Sequence, residues 1–304
     1  MKRILFSLVL FINILQAQAI IYRHDINKEE QILLAKQQQF NCVGEVINTL
    51  KQKKAGSCVF IGNRYVLTAA HVLIETEFRA DTMTISGKQI ISRTETNRRI
   101  ADITNYSFRF EQSTYKGKKV MVFPAYLDSA TRGQYDIALI ELDQPVENLI
   151  PATLCKAFDE LGSQITIVGF GASGNAARPA DVGLYDIKYG GENIIDSLCG
   201  YKYNDTHALL SFDFDYPGTQ KYNRMGSADA LPLESICGGG DSGGGMFRQT
   251  KAGWQLVGIC AGAQVDVKLL TEIGYYGNTG NYTRVSIFND WIKEHIAIFE
   301  KERK

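Results

Sequence analysis

Residues 237–245 run Cys237-Gly238-Gly239-Gly240-Asp241-Ser242-Gly243-Gly244-Gly245, and no regular element accommodates them. Six glycines in nine residues deny the run both helix and strand propensity. Glycine is used where the backbone takes unusual dihedrals or where another atom must come close. A serine in such a loop, preceded by an acid, suits a nucleophile presented against two backbone N–H groups. The N–H groups of Gly240 and Ser242 are the pair that would face an oxyanion. A flexible linker is the competing reading, and the rest of the chain decides between the two.

A serine hydroxyl is a weak nucleophile until a base takes its proton, and the base needs a third group to hold its tautomer. The chain has four histidines, His24, His71, His207 and His295. His71 closes an apolar, β-rich run, Tyr65-Val66-Leu67-Thr68-Ala69-Ala70-His71. A carboxylate candidate opens another such run, Asp136-Ile137-Ala138-Leu139-Ile140. The other three histidines have no comparable context and read as structural.

Thr68-Ala69-Ala70-His71, Asp136-Ile137-Ala138-Leu139 and Gly240-Asp241-Ser242-Gly243-Gly244 resemble the three signature blocks of the chymotrypsin/trypsin family of serine proteases. The order histidine, aspartate, serine is that of chymotrypsin-type enzymes. Gly169-Phe170-Gly171, Trp254-Gln255-Leu256-Val257-Gly258-Ile259, Asn281-Tyr282-Thr283-Arg284-Val285 and Trp291-Ile292 resemble further family segments, also in order. The likeness covers residues 40–296, and secreted bacterial trypsin-like enzymes are the nearest type. It implies two six-stranded antiparallel β-barrels with the active site between them, a triad of Ser242, His71 and Asp136, and an oxyanion hole from Gly240 and Ser242.

The remaining sequence fits that expectation. Many short strands without βαβ alternation argue an all-β fold. Val59-Phe60-Ile61 and Tyr65-Val66-Leu67 flank a hairpin signal at Gly62-Asn63-Arg64. Residues 81–90, 119–126, 164–169 and 208–212 read as strands, 28–36 as a short helix and 172–183 as a polar, Gly-rich loop. Phe288, Trp291, Ile292, Ile296 and Phe299 recur at helical spacing near the end. The organisation expected is a leader over 1–19, an N-terminal segment over 20–39, a first barrel over 40–150 holding His71 and Asp136, and a second barrel over 151–304 holding Ser242 and a C-terminal helix.

Lys2 and Arg3 precede an apolar run that ends in Ala17-Gln18-Ala19, the pattern of a cleavable export signal. Removal near Ala19 would release a secreted, extracellular or periplasmic, chain beginning at Ile20. Lys+Arg and Asp+Glu are both 33, so no global field favours nucleic acid or an anionic membrane. No nucleic acid and no stable membrane association are therefore expected, and the resemblance implies protein or peptide substrates as partners. Oligomeric state is left open.

Cys42, Cys58, Cys155, Cys199, Cys237 and Cys260 suit an oxidising compartment. The family's cysteine after the catalytic histidine is Val72 here, so that common bridge is absent. Cys42 with Cys155, and Cys237 with Cys260, stand as hypothetical bridges. No Cys-x-x-Cys and no histidine cluster suggests a metal, and neither metal nor cofactor is expected.

The resemblance assigns roles. Ser242 attacks a scissile carbonyl, His71 shuttles the proton, and Asp136 orients His71. Four departures set limits. Gly245 replaces a proline, Ala261 replaces the serine that supports the catalytic aspartate, and the loop from Cys237 to Asp241 carries one extra residue. No Arg-Ile-Val-Gly-Gly activation site exists. In relatives a freed N-terminal Ile or Val pairs with the aspartate before the nucleophile, here Asp241; Ile20 or some internal group would have to serve. The specificity pocket aligns with Ser235-Ile236, Ala263 and Gly280, without the acid that selects basic side chains, although Glu234 is adjacent. That makes Ile236, Ala263 and Gly280 the substrate-binding candidates and an apolar or small side chain the preferred guest. A protease-like binding or regulatory protein without activity is the alternative reading, and an esterase of the same fold a third.

Overall fold

A computed structural model describes residues 20–303 apart from 86–87, 129–130, 132–133, 177–182, 185–186 and 265–275. The expected leader lies outside the described residues, as does part of the loop expected over 172–183. The chain enters through a short strand, β1 (Ile21–Tyr22), and a helix, α1 (Lys28–Ala35). Asn27 caps α1 by accepting the Glu29 N–H at 3.3 Å.

Eight strands follow: β2 (Val43–Asn48), β3 (Lys53–Gly62), β4 (Tyr65–Thr68), β5 (Ile74–Ile85), β6 (Lys88–Ile100), β7 (Tyr106–Phe110), β8 (Ser113–Val122) and β9 (Ala138–Leu142), with a one-turn helix α2 (Pro124–Leu127) before the last. Six of them close a barrel in the order β2-β3-β4-β9-β8-β7. Closure removes every free edge, so Val46, Cys58, Val66, Phe108 and Ile140, which the strand register places on one face, fill the interior without exposure. The β3–β4 hairpin falls where the sequence places it, with Gly62 and Asn63 both at positive φ. Residues 81–90 are not one strand; they straddle the end of β5 and the start of β6. These two form a separate ribbon that pairs only with itself. The strand read over 119–126 stops at Val122, because Pro124 starts α2.

The second half comprises β10 (Gln164–Gly169), β11 (Ala172–Asn175), β12 (Gly183–Leu184), β13 (Tyr189–Ile194), β14 (Ser197–Tyr203), β15 (Thr206–Asp213), β16 (Ser235–Ile236), β17 (Gly245–Thr250), β18 (Gly253–Gln264) and β19 (Thr279–Arg284). In place of a second six-stranded barrel, the described residues form a seven-stranded sheet, β13-β10-β17-β18-β19-β15-β14. The cause lies at the corner between its two edges. The N–H groups of Ile195 and Asp196 go to Ser163 O and Ser211 O, so β13 and β14 build no ladder with each other. Asn193 spans part of the gap by donating to Asp213 O at 2.8 Å and Ser235 O at 3.3 Å.

A turn over Val285–Phe288 leads into the C-terminal helix α3 (Asn289–Arg303), as the spacing of apolar residues predicts. Trp291, Ile292 and Phe299 are buried. Phe123 meets the rings of Phe288 and Trp291 at 4.9 and 5.5 Å, which seats the helix on the first barrel. Among the described residues no helix is long and apolar enough to cross a membrane.

Candidate active site

Each of the three predicted residues sits just outside a buried strand. His71 lies in the tight turn Ala70–Leu73 after β4, where Ala69 and Ala70 are fully buried and leave no room for larger side chains. Asp136 immediately precedes β9, after Tyr135, whose φ is 56°. The Tyr135 hydroxyl donates to Lys202 O at 2.7 Å and ties this corner to the second half. Ser242 lies in the glycine loop before β17.

The structure brings the three together. His71 Nδ1 is 2.6 Å from Asp136 Oδ2, and His71 Nε2 is 2.7 Å from Ser242 Oγ. A carboxylate accepts only, so Nδ1 carries the proton and Nε2 is free to accept from the Ser242 hydroxyl. The His71 backbone N–H donates to Asp136 Oδ1 at 2.9 Å, so both carboxylate oxygens hold the same residue. Burial alone would lower the His71 pKa, but the Asp136 charge and hydrogen bond outweigh it and raise it above the ordinary imidazole value. Ala261 offers no side-chain donor to Asp136; Thr283 Oγ1 instead donates to the Asp136 backbone carbonyl at 2.9 Å.

Ser57 organises the glycine loop. Its Oγ donates to Gly240 O at 2.9 Å and accepts the Phe170 N–H at 3.0 Å, while its N–H donates to Ser242 O at 2.7 Å. Gly240 and Gly243 take φ of 91° and 86°. A Cβ on Gly243 would lie 2.1 Å from Ser57 O, so only glycine fits. The extra residue is absorbed in a turn in which the Asp241 N–H donates to Gly238 O and the Gly238 N–H to Asp241 Oδ2. Gly245, where relatives carry proline, fits under Phe247: a Cβ there would lie 2.4 Å from that ring. Among the described residues the N–H groups of Gly240 and Ser242 have no partner. Sequence reasoning missed Ser57 and Thr283, since their partners lie 183 and 147 residues away and nothing local marks them.

Asp241 is 1 % exposed. Burial pushes its carboxyl up to about 7, against the pull of hydrogen bonds from the Gly238, Gly171 and Ile20 N–H groups and the charge of Lys54. Ile20 is itself buried, and β1 runs parallel to β11 and antiparallel to β16. The segment that follows the expected leader is therefore built into the wall of the glycine loop.

Two of the three pocket candidates meet across one ladder. Ala263 faces Gly280 across the β18–β19 ladder, and a Cβ on Gly280 would strike the Phe212 ring. Ile236 is buried, and the next residue, Cys237, donates its thiol to Gly262 O at 3.4 Å. Glu234 is turned elsewhere: its carboxylate accepts the N–H groups of Asp215 and Leu231, both at 2.6 Å. The structure does not show the two hypothetical bridges. All six cysteines are free thiols, with Cys42 donating to Gln39 O and Cys155 to Ala157 O, while Cys237 and Cys260 meet through a hydrogen bond. No group of metal-ligating side chains occurs among the described residues.

Comparison with known proteins adds an independent line. The family model described as Trypsin matches residues 34–292. The chain is 26 % identical over 249 residues to phenoloxidase-activating factor 3 of Holotrichia diomphalia, covering 78 % of this chain and 63 % of that protein. It is 24 % identical over 271 residues to vitamin K-dependent protein C of Oryctolagus cuniculus, covering 83 % and 48 %. It thus spans about half to two-thirds of these relatives' own length. The secreted serine protease VesC from Vibrio cholerae superposes with a TM-score of 0.52 at 18 % identity, covering 84 % of this chain and 46 % of that one. That likeness is one of fold. A family model that runs through both halves of the chain and across all three site segments makes the assignment plain: this protein belongs to the trypsin family of serine proteases.

Proposed function

We propose that this chain is a secreted serine endopeptidase acting through Ser242, His71 and Asp136. The continuous run of short contacts Asp136–His71–Ser242 carries the reading. His71 takes the Ser242 proton as Oγ attacks the substrate carbonyl, and Asp136 stabilises the imidazolium that results. The Gly240 and Ser242 N–H groups hold the oxyanion; losing one such donor costs about 3–4 kcal/mol in the transition state. Protonated His71 then delivers its proton to the leaving amine, and water repeats the sequence on the acyl-enzyme.

The guest side chain lies between Ile236, Ala263 and Gly280 and is apolar. The supporting observation is that Glu234 already accepts two backbone N–H groups and is 2 % exposed. Export removes residues 1–19 and leaves Ile20 as the first residue. Its ammonium then replaces an amide N–H beside the buried Asp241 carboxylate, which otherwise has only neutral donors in direct contact. The two halves, 40–150 and 151–304, each supply one side of the site.

Fluorophosphonate labelling of the purified chain beginning at Ile20, beside Ser242→Ala, tests this reading. Covalent labelling that vanishes in the variant supports an assembled triad. Well-folded protein that resists labelling, even after limited proteolysis, would sink it and leave a protease-like binding protein.

A further inference from the structure

The adjacent strands β18, β19 and β15 set Ala263, Gly280 and Phe212 in one cross-strand row, for Gly280 lies directly opposite Ala263 on one side and Phe212 on the other. Directly paired residues share a face, so the row runs along one side of the sheet. Ala263 is exposed at one end, Gly280 is buried, and Phe212 is fully buried at the other end. β18 reaches this row from the glycine loop: Cys260 accepts the Gly243 N–H and donates to Gly244 O, both at 2.9 Å. The row therefore begins a short step along the strand from the contacts that hold the Ser242 loop.

A glycine at position 280 reads as room for a large guest, and the structure removes that room. A Cβ built on Gly280 would lie 2.5, 2.8 and 3.0 Å from Cζ, Cε2 and Cε1 of Phe212, the far end of its ring. The ring thus leans across to β19 and fills the space that a side chain at 280 would take. Tyr282 backs it, with ring centroids 5.8 Å apart, and Tyr282 is itself buried and hydrogen-bonded to the Cys260 thiol. A ring braced in this way yields little, since forcing a larger group into a packed interior costs stability. The neighbouring acid does not reach the row. Strand alternation turns Asp213 to the opposite face, where its carboxylate accepts the Arg224 and Met225 N–H groups.

We propose that Phe212 floors the specificity pocket and restricts its guest to a small apolar side chain, alanine or valine, while the ring excludes leucine and phenylalanine. The identity of the guest, the residue whose carbonyl Ser242 attacks, rests on the proposed hydrolytic function. Ile236 and Ala263 flank a short guest, and Phe212 meets its tip. A longer side chain collides with the end of the ring, and in a hydrophobic pocket a single methylene changes selection by about tenfold or more. The size limit is thus set from β15 and not by the residues at the pocket's sides.

Ligand-observed NMR titration of the Ser242→Ala chain with N-acetylated tripeptide acids ending in alanine, valine, leucine or phenylalanine tests the floor without catalysis. The terminal carboxylate takes the place of the acyl group against the Gly240 and Ser242 N–H groups and fixes the register, since residue 242 keeps its N–H in the variant. The alanine and valine peptides should bind at least about tenfold more tightly than the phenylalanine peptide. Phe212→Ala, and the more conservative Phe212→Leu, each combined with Ser242→Ala, should remove that preference by tightening the leucine and phenylalanine peptides about tenfold. Circular dichroism checks that each variant is folded. Three outcomes overturn the proposal: no saturable binding of any peptide up to about 10 mM, equal binding of the alanine and phenylalanine peptides with Phe212 in place, or an unchanged ranking in a folded Phe212 variant. The second needs no substitution at Phe212, so it holds even where the core change prevents folding. A chain that ranks the peptides as expected but resists fluorophosphonate with Ser242 intact would refute the hydrolytic reading alone.

Discussion

At the scale of single residues, the triad is tuned by a competition between burial and one carboxylate. Asp136 wins, so the acid limb of kcat/KM should lie above the ordinary imidazole value of about 6.5. Asp136→Asn should move that limb to lower pH and reduce kcat about 10⁴-fold, as loss of the correct tautomer does in comparable triads; a pH–rate series on both proteins checks it. Ser57→Ala removes the links to Gly240 and Phe170. It should lower kcat about tenfold to a hundredfold, the equivalent of about 1–3 kcal/mol, with little change in KM. The triad was legible in the sequence because each member sits in a run of neighbours with its own local logic: small residues around His71, a buried strand after Asp136, glycines about Ser242. Ser57 was not, because a serine between a glycine and a cysteine reads as an ordinary strand residue until the loop from the other half is placed over it.

At the scale of elements, strand and helix positions follow the spacing of apolar residues, and the errors occur where pairing is decided at a distance. The β5–β6 ribbon looks like ordinary strand sequence, yet it joins no sheet beyond itself. A two-stranded ribbon alone is marginal in water. Limited proteolysis should therefore cut first within residues 74–100, and mass mapping of the earliest fragments tests that. The open edge of the second sheet was equally hidden, since the direction of two N–H groups at Ile195 and Asp196 decides it. Elsewhere in this half, Arg284 and Glu160 form a buried pair at 2.5 Å, and Ser286 Oγ donates to the same carboxylate at 2.6 Å. Arg284→Met leaves that carboxylate alone and should destabilise the fold by about 3–5 kcal/mol in denaturant titration. Adding Glu160→Gln should recover much of the loss.

At the scale of the whole molecule, activity and stability should respond to pH in opposite directions. Burial, with neighbouring acids adding to the effect on Asp196 and Asp215, pushes Asp196 up to about 6, Asp215 up to about 7 and Glu234 up to about 8. Folded values above unfolded ones mean that the native state holds more protons. Stability is then greatest at acid pH and falls as pH rises through these values. The thermal midpoint should drop between about pH 5 and 8, while activity climbs as His71 deprotonates. Asp215→Asn should flatten the stability profile without moving the acid limb of activity; scanning calorimetry and a rate profile on one preparation test both.

The short strand β1 has a consequence of a different kind. Its pairing with β11 and β16, and the contact of Ile20 with Asp241, make the first residues behave as a tethered ligand for a receptor that the rest of the chain supplies. The tether sets an effective concentration, so occupancy is an intramolecular equilibrium rather than a fixed state. On mild warming, the fraction of molecules with an assembled glycine loop should fall before the barrel melts. Labelling at Ser242 should then be lost at a lower temperature than the ellipticity.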